Sequence, residues 1–184
     1  MTTSILRTLL SGAFVLQALS ACATGPQRHE QPPHAVPAAA ELTEALKPFS
    51  FLLGTWDAEG GGTPGASAGT FTFQPDVQGH VLIRRNESVT PGGRHEDLMV
   101  LHPGAQGTVR ASYFDNEGHV IHYAARAESS PASAEFVTDE ASGTPRFRLS
   151  YLLNPDGTLN VRFEIAPPGG ADFRTYLQGT ARRR

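Results

Sequence analysis

Five histidines, His80, His95, His102, His119 and His122, crowd the middle third of this 184-residue chain. Clustered imidazoles can hold a transition metal, but only if ligands from several segments converge at bonding distance. Their spacing argues against it. His119 and His122 are three apart and His95 and His102 seven apart, so on an extended chain each pair points to opposite faces. Glu96 and Asp97 beside His95 alternate in the same way. No metal site is expected. Nucleophile and phosphate chemistry are equally unsupported: the chain has no Gly-x-Ser-x-Gly elbow, no phosphate loop and no dinucleotide fingerprint. No catalytic residue and no cofactor are assigned, and a non-enzymatic role is the expectation.

A second polar set stands out because it shares strand parity with apolar residues. Arg85 and Glu87 follow Val81 and Ile83. His102 follows Leu98 and Val100, and Tyr113 follows Val109 and Ala111. His119 and Tyr123 flank Ile121, and Tyr151 follows Phe147 and Leu149. An apolar cavity with a few convergent polar groups is the usual make-up of a small-molecule site. Arg85, His102, Tyr113, His119, Tyr123 and Tyr151 are therefore the candidate ligand-binding residues. The alternative is that they are wet residues at strand ends. Arg85 is the sharpest member, because a guanidinium on an apolar face needs a partner. Glu87 or the carboxylate of a fatty-acid-like ligand could supply it.

The elements that must position these residues are short strands. Glu41 to Leu46 puts Leu42, Ala45 and Leu46 on one helical face, and Pro48 ends or bends that helix. From residue 54 onward period-two alternation takes over. It predicts strands at 54–60, 68–75, 80–88, 95–102, 107–115, 118–126, 133–138, 145–153, 158–166 and 172–181. Turn residues separate them, among them Pro91-Gly92-Gly93, Asn116-Glu117-Gly118 and Asn154-Pro155-Asp156-Gly157. Ten strands at this spacing predict an all-β, up-and-down antiparallel barrel with a short N-terminal helix, a two-sheet sandwich being the alternative. Phe71, Phe73, Phe136, Phe147 and Phe163 fall on inward positions and Arg146, Arg148, Arg162 and Arg174 on the outer wall. Leu82, Met99, Leu101, Val120 and Leu152 fall on the nominal outer face and need cover.

Leu53-Gly54-Thr55-Trp56 opens the first strand, and Arg182 and Arg183 close the last. Over residues 40–184 this arrangement resembles the calycins, in particular the nitrobindin-like and fatty-acid-binding barrels. The resemblance implies that Trp56 packs at the barrel floor beneath an arginine of the last strand, with Arg182 preferred over Arg183. Haem-binding nitrobindins hold iron through a histidine near the C-terminal end of the barrel. This chain has no histidine after His122, so haem is not carried over.

The N-terminus speaks to location. Residues 1–21 combine Arg7, an apolar run from Thr8 to Ala18 and small residues before Cys22, the plan of a secretory signal. Leu19-Ser20-Ala21-Cys22 resembles the lipobox of bacterial lipoproteins, which implies lipid on the Cys22 thiol. Ala23 after it implies an outer-membrane destination, with the domain facing the periplasm. Residues 22–39, rich in proline and without periodicity, read as a tether, and 40–184 as the barrel domain. A net charge of −3 and pI near 6.1 argue against nucleic acid as a partner. The expected function is a membrane-anchored binding module for a small apolar or fatty-acid-like ligand. The alternative is a structural envelope protein whose barrel is filled by its own side chains.

Overall fold

The computed structural model describes residues 41–60, 68–90 and 93–184. The leader, Cys22 and the tether expected over 1–39 lie outside the described residues. The alternating segments form ten strands: β1 Gly54–Gly60, β2 Ala68–Asp76, β3 Val81–Thr90, β4 Gly93–Pro103, β5 Val109–Asp115, β6 Val120–Ser129, β7 Ala132–Thr138, β8 Arg146–Leu153, β9 Leu159–Ala166 and β10 Arg174–Arg183. Each pairs antiparallel with its chain neighbour. β1 also pairs with β10, from Trp56 opposite Arg183 to Gly60 opposite Gly179. The sheet thus closes into a barrel. Closure leaves no strand edge unpaired, which a ten-stranded open sheet could not achieve.

The segment before β1 differs from expectation. Residues 44–46 form turns, and a 3-10 helix follows at Lys47–Leu52. Pro48 stands near the start of that helix, where a missing N–H costs no hydrogen bond, and does not end it. The helix buries Phe49 and Leu52 against one end of the barrel, here called the floor. Phe49 tilts against Phe136 with ring centroids 6.0 Å apart.

Above it the interior is an aromatic stack. Phe71 stacks on Trp56 at 6.4 Å and meets Phe73 edge-on at 6.0 Å. Tyr151 touches Phe71, Phe73 and Phe136 in turn. Further from the floor the inward side chains Tyr113, Ile121, Phe147 and Phe163 are only partly buried. The barrel is filled at the floor and looser towards the opposite rim.

On β5 to β9 the inward faces follow the expected parity. On β3 and β4 they are reversed. Leu82, Met99 and Leu101 are fully buried, with Arg84 and Asp97 on the same faces. Val81, Ile83, Leu98 and Val100 take the outward positions. These strands are apolar on both faces, as Val81-Leu82-Ile83 and Leu98-Met99-Val100-Leu101 show, so alternation alone has no polar face to exclude. Cross-strand register decides instead: Arg84 pairs with Met99, which pairs with the inward Tyr113. Val120 and Leu152 do lie outward, at 56% and 38% exposure.

Candidate functional site

The floor shows why glycine, tryptophan and arginine belong together. Trp56 is fully buried, and its indole N–H donates to the Leu52 carbonyl at 2.8 Å. The guanidinium carbon of Arg183 lies 4.3 Å from the Trp56 ring centroid, a cation–π contact. Arg183 also donates to the Leu53 carbonyl and, at 2.9 Å, to the Phe51 carbonyl. Gly54 makes room for it. A Cβ there would stand 3.0 Å from the Arg183 Nη1, and φ of +108° disfavours any side chain. The arginine over the tryptophan is therefore Arg183, not Arg182. Ala181 is buried, so parity turns 183 inward and 182 out, where Arg182 is exposed opposite Asp57. This constellation holds the floor together and has no free group to offer a ligand.

The polar centre of the barrel is built on Arg84. Its guanidinium donates to Asp97 Oδ1 at 2.6 Å, and both side chains are buried. Asn86 Nδ2 donates to the other Asp97 oxygen at 2.9 Å. Phe71 lies under the guanidinium, with its centroid 5.6 Å away. Burial works against the charge on Arg84, but the net direction is upward, with the Asp97 carboxylate first among the groups that hold the cation. Tyr151, Tyr113 and Tyr123 are the three hydroxyls that feel Arg84. Burial pushes all three upward in pKa, Tyr151 to about 12, so they stay neutral hydrogen-bond donors. Two buried polar atoms here have no hydrogen-bond partner, the Arg84 Nε and the Tyr151 hydroxyl. The Tyr151 hydroxyl nonetheless lies within reach of the Arg84 guanidinium, which works against the larger effect of burial both as a charge and as a hydrogen-bond donor.

From this centre a chain of side chains runs to the rim. His95 Nε2 is 3.4 Å from Asp97 Oδ2 and 3.2 Å from the Tyr113 hydroxyl. Tyr113 also reaches Asp115 Oδ2 at 3.3 Å. Asp115 accepts the backbone N–H groups of Glu117 and His119 at 3.0 and 2.9 Å, and its other oxygen is 2.9 Å from His119 Nδ1. Burial alone would raise the Asp115 pKa, but the bonds from His119 and Glu117 hold it below the usual carboxylate range. The same contact raises the His119 imidazole above its ordinary value.

Of the six candidate residues, Tyr113, Tyr123 and Tyr151 point into the lumen around one charge. His119 stands at the rim, 63% exposed, and joins them only through Asp115. Arg85 and His102 do not belong to the group. Arg85 is exposed on the outer wall, where with Glu87, Thr70, Thr72, Gln74 and Arg184 it borders a shallow groove. His102 faces outward opposite Arg110, its Nδ1 3.0 Å from the Pro103 carbonyl. Their strands carry the reversed parity, so the inward arginine is Arg84, one residue earlier. Asp97 and His95 were assigned no role by parity. The sequence signal for them was a carboxylate one hairpin away from an arginine, which register alone could align.

A second groove, about 330 Å³, lies on the outside between β6 and β8 beneath Phe173. Arg146 and Arg148 stack on that phenyl ring at 5.2 and 4.3 Å, and Arg148 pairs with the buried Glu164 at 2.7 Å. Of the four arginines expected on the outer wall, Arg146 and Arg148 are engaged there and Arg162 is exposed, whereas Arg174, exposed at the rim, pairs with Ile165 of the inward-facing row. Among the described residues no group of three His, Cys, Asp or Glu side chains is placed to hold a metal.

Fold and interior together define a closed ten-stranded up-and-down β-barrel with an aromatic floor and a neutralised polar centre. No family model matches the chain, and no curated protein matches its sequence.

Proposed function

We propose that this chain is a lipid-anchored bacterial envelope protein whose calycin-like barrel binds a small, largely apolar molecule on the periplasmic side of the outer membrane. The observation that carries the binding part is the polar centre. Tyr113, Tyr123 and Tyr151 stand within electrostatic reach of Arg84 in an otherwise aromatic interior, and the Arg84 Nε and the Tyr151 hydroxyl lack a protein partner in good geometry. Buried polar groups are normally satisfied by protein or by bound water, and two of them side by side in an aromatic interior favour a molecule that brings an acceptor. The anchor rests on the lipobox-like Leu19-Ser20-Ala21-Cys22. A second reading, a structural barrel with no ligand, draws on the aromatic packing from Phe49 to Trp56, which fills the floor half.

Native mass spectrometry of the protein extracted from membranes of its own host tests both parts. The expected spectrum shows a diacylglyceryl mass on Cys22 and a co-purifying small molecule. Bare barrel in every preparation supports the structural reading. A Cys22→Ser protein that is processed normally and stays in the membrane fraction removes the anchor.

A further inference from the structure

We propose that the molecule taken up by this barrel is uncharged and ring-bearing, with an acceptor oxygen held by Tyr151 and Arg84. The inference rests on the binding reading above and narrows it to a ligand class. Three observations support it.

The first is charge. Arg84 and Asp97 already sum to zero, and the second Asp97 oxygen is occupied by Asn86. An anionic ligand would add an uncompensated charge inside the barrel, at a prohibitive desolvation cost. The carboxylate that Arg85 was expected to receive has no counterpart at Arg84.

The second is donor chemistry. The Arg84 Nε–H can only donate, and the Tyr151 hydroxyl, kept neutral by burial, is free to donate. Even where the Tyr151 oxygen accepts from Arg84, its own proton is left to donate, and a carbonyl, ether or hydroxyl oxygen would take it. One inward position further from the floor, Asn86, His95 and Ile121 are only half-buried, so the cluster sits where the filled half gives way to the looser one.

The third is the opposite wall. Phe147 and Phe163 stack at 5.9 Å with an interplanar angle of 14°. Tyr176 stands edge-on to Phe163 at 6.1 Å while remaining 74% exposed. It lies in a β-bulge of β10 between Thr175 and Leu177, a device that re-aims a side chain. In a closed ring of ten, β8 to β10 face β3 to β5. The rim thus offers an aromatic lip across from the His95–Tyr113–Asp115 wall, suited to a planar ring with one polar atom.

Calorimetric titration of the full chain with four probes tests this: acetylnaphthalene, ethylnaphthalene, naphthoate and undecanone. Acetylnaphthalene is expected to bind roughly tenfold or more tightly than ethylnaphthalene, which lacks the acceptor, and than naphthoate, which carries a charge. Tyr151→Phe should abolish the preference for acetylnaphthalene over ethylnaphthalene. Tyr176→Ala should weaken both neutral naphthalenes and leave undecanone unchanged. Naphthoate binding as tightly as acetylnaphthalene, or a preference that survives Tyr151→Phe, overturns the inference. Undecanone binding without any naphthalene binding also overturns it but leaves the binding reading standing. Binding of none of the four, together with bare protein in the native spectrum, removes both.

Discussion

Arg182 and Arg183 are neighbours of the same type with opposite fates, because adjacent strand residues face opposite sides of the sheet. Arg183 covers the Trp56 ring and ties down two carbonyls, at Phe51 and Leu53, that the end of the 3-10 helix leaves without partners. Arg182 meets solvent. Replacing Arg183 with Ala is expected to cost roughly 1–2 kcal/mol, from the lost cation–π contact and hydrogen bonds. Arg182→Ala should stay within about 0.5 kcal/mol. Urea unfolding of the two variants checks this, and equal losses would put Arg182 back over the indole. The resemblance to the calycins implied the pairing of Trp56 with a terminal arginine. The sequence did not carry which arginine, since that depends on where β10 begins its register against β1.

At the scale of elements, the β5–β6 turn shows a different economy. Asp115 closes the turn by accepting two backbone N–H groups and the His119 imidazole, while Tyr113 leans on its outer oxygen. His119 has a raised folded pKa, so its contribution is complete below about pH 6.5 and is lost as pH rises through the raised value. Asp115 has a lowered folded pKa, so its contribution is complete above about pH 3.8 and is lost as pH falls. Both hold together in the window between. Thermal unfolding of wild type and His119→Asn should therefore differ more near pH 5 than near pH 8.5. A difference independent of pH would show that the imidazole charge contributes nothing. The turn was legible from Asn116-Glu117-Gly118. The roles of β3 and β4 were not, because strands apolar on both faces give alternation nothing to select.

The Arg84–Asp97 ion pair lies inside the barrel, and the surrounding packing constrains how it can change. Removing one partner strands the other in a medium that cannot hydrate it. Asp97→Ala is expected to cost about 3–5 kcal/mol. Replacing both, Arg84→Met with Asp97→Leu, should recover most of that loss, because an apolar pair of similar size suits an aromatic interior. Chemical unfolding of the single and double variants makes the comparison. A double variant as weak as the single would mean that the pair is held by more than mutual charge, with the tyrosine hydroxyls the next groups to replace. A recovered double variant that no longer binds acetylnaphthalene would separate the stability of the centre from its use.

Composition, period-two alternation and turn residues determined the ten strands, their order along the chain and their antiparallel pairing, because each of those is local or follows from short connections. The placement of Tyr113, Tyr123 and Tyr151 on inward faces came from the same alternation, since their strands have one polar side. Tertiary structure decided what those tyrosines face. Arg84 reaches them only because β3 and β4 pair with Arg84 opposite Met99, and Asp97 reaches Arg84 from two positions further along the same hairpin. It also decided which arginine caps Trp56, through the pairing of β1 with β10 at opposite ends of the domain. Contacts of that kind depend on shear and register around a closed sheet, a property of all ten strands at once that no single stretch of sequence contains.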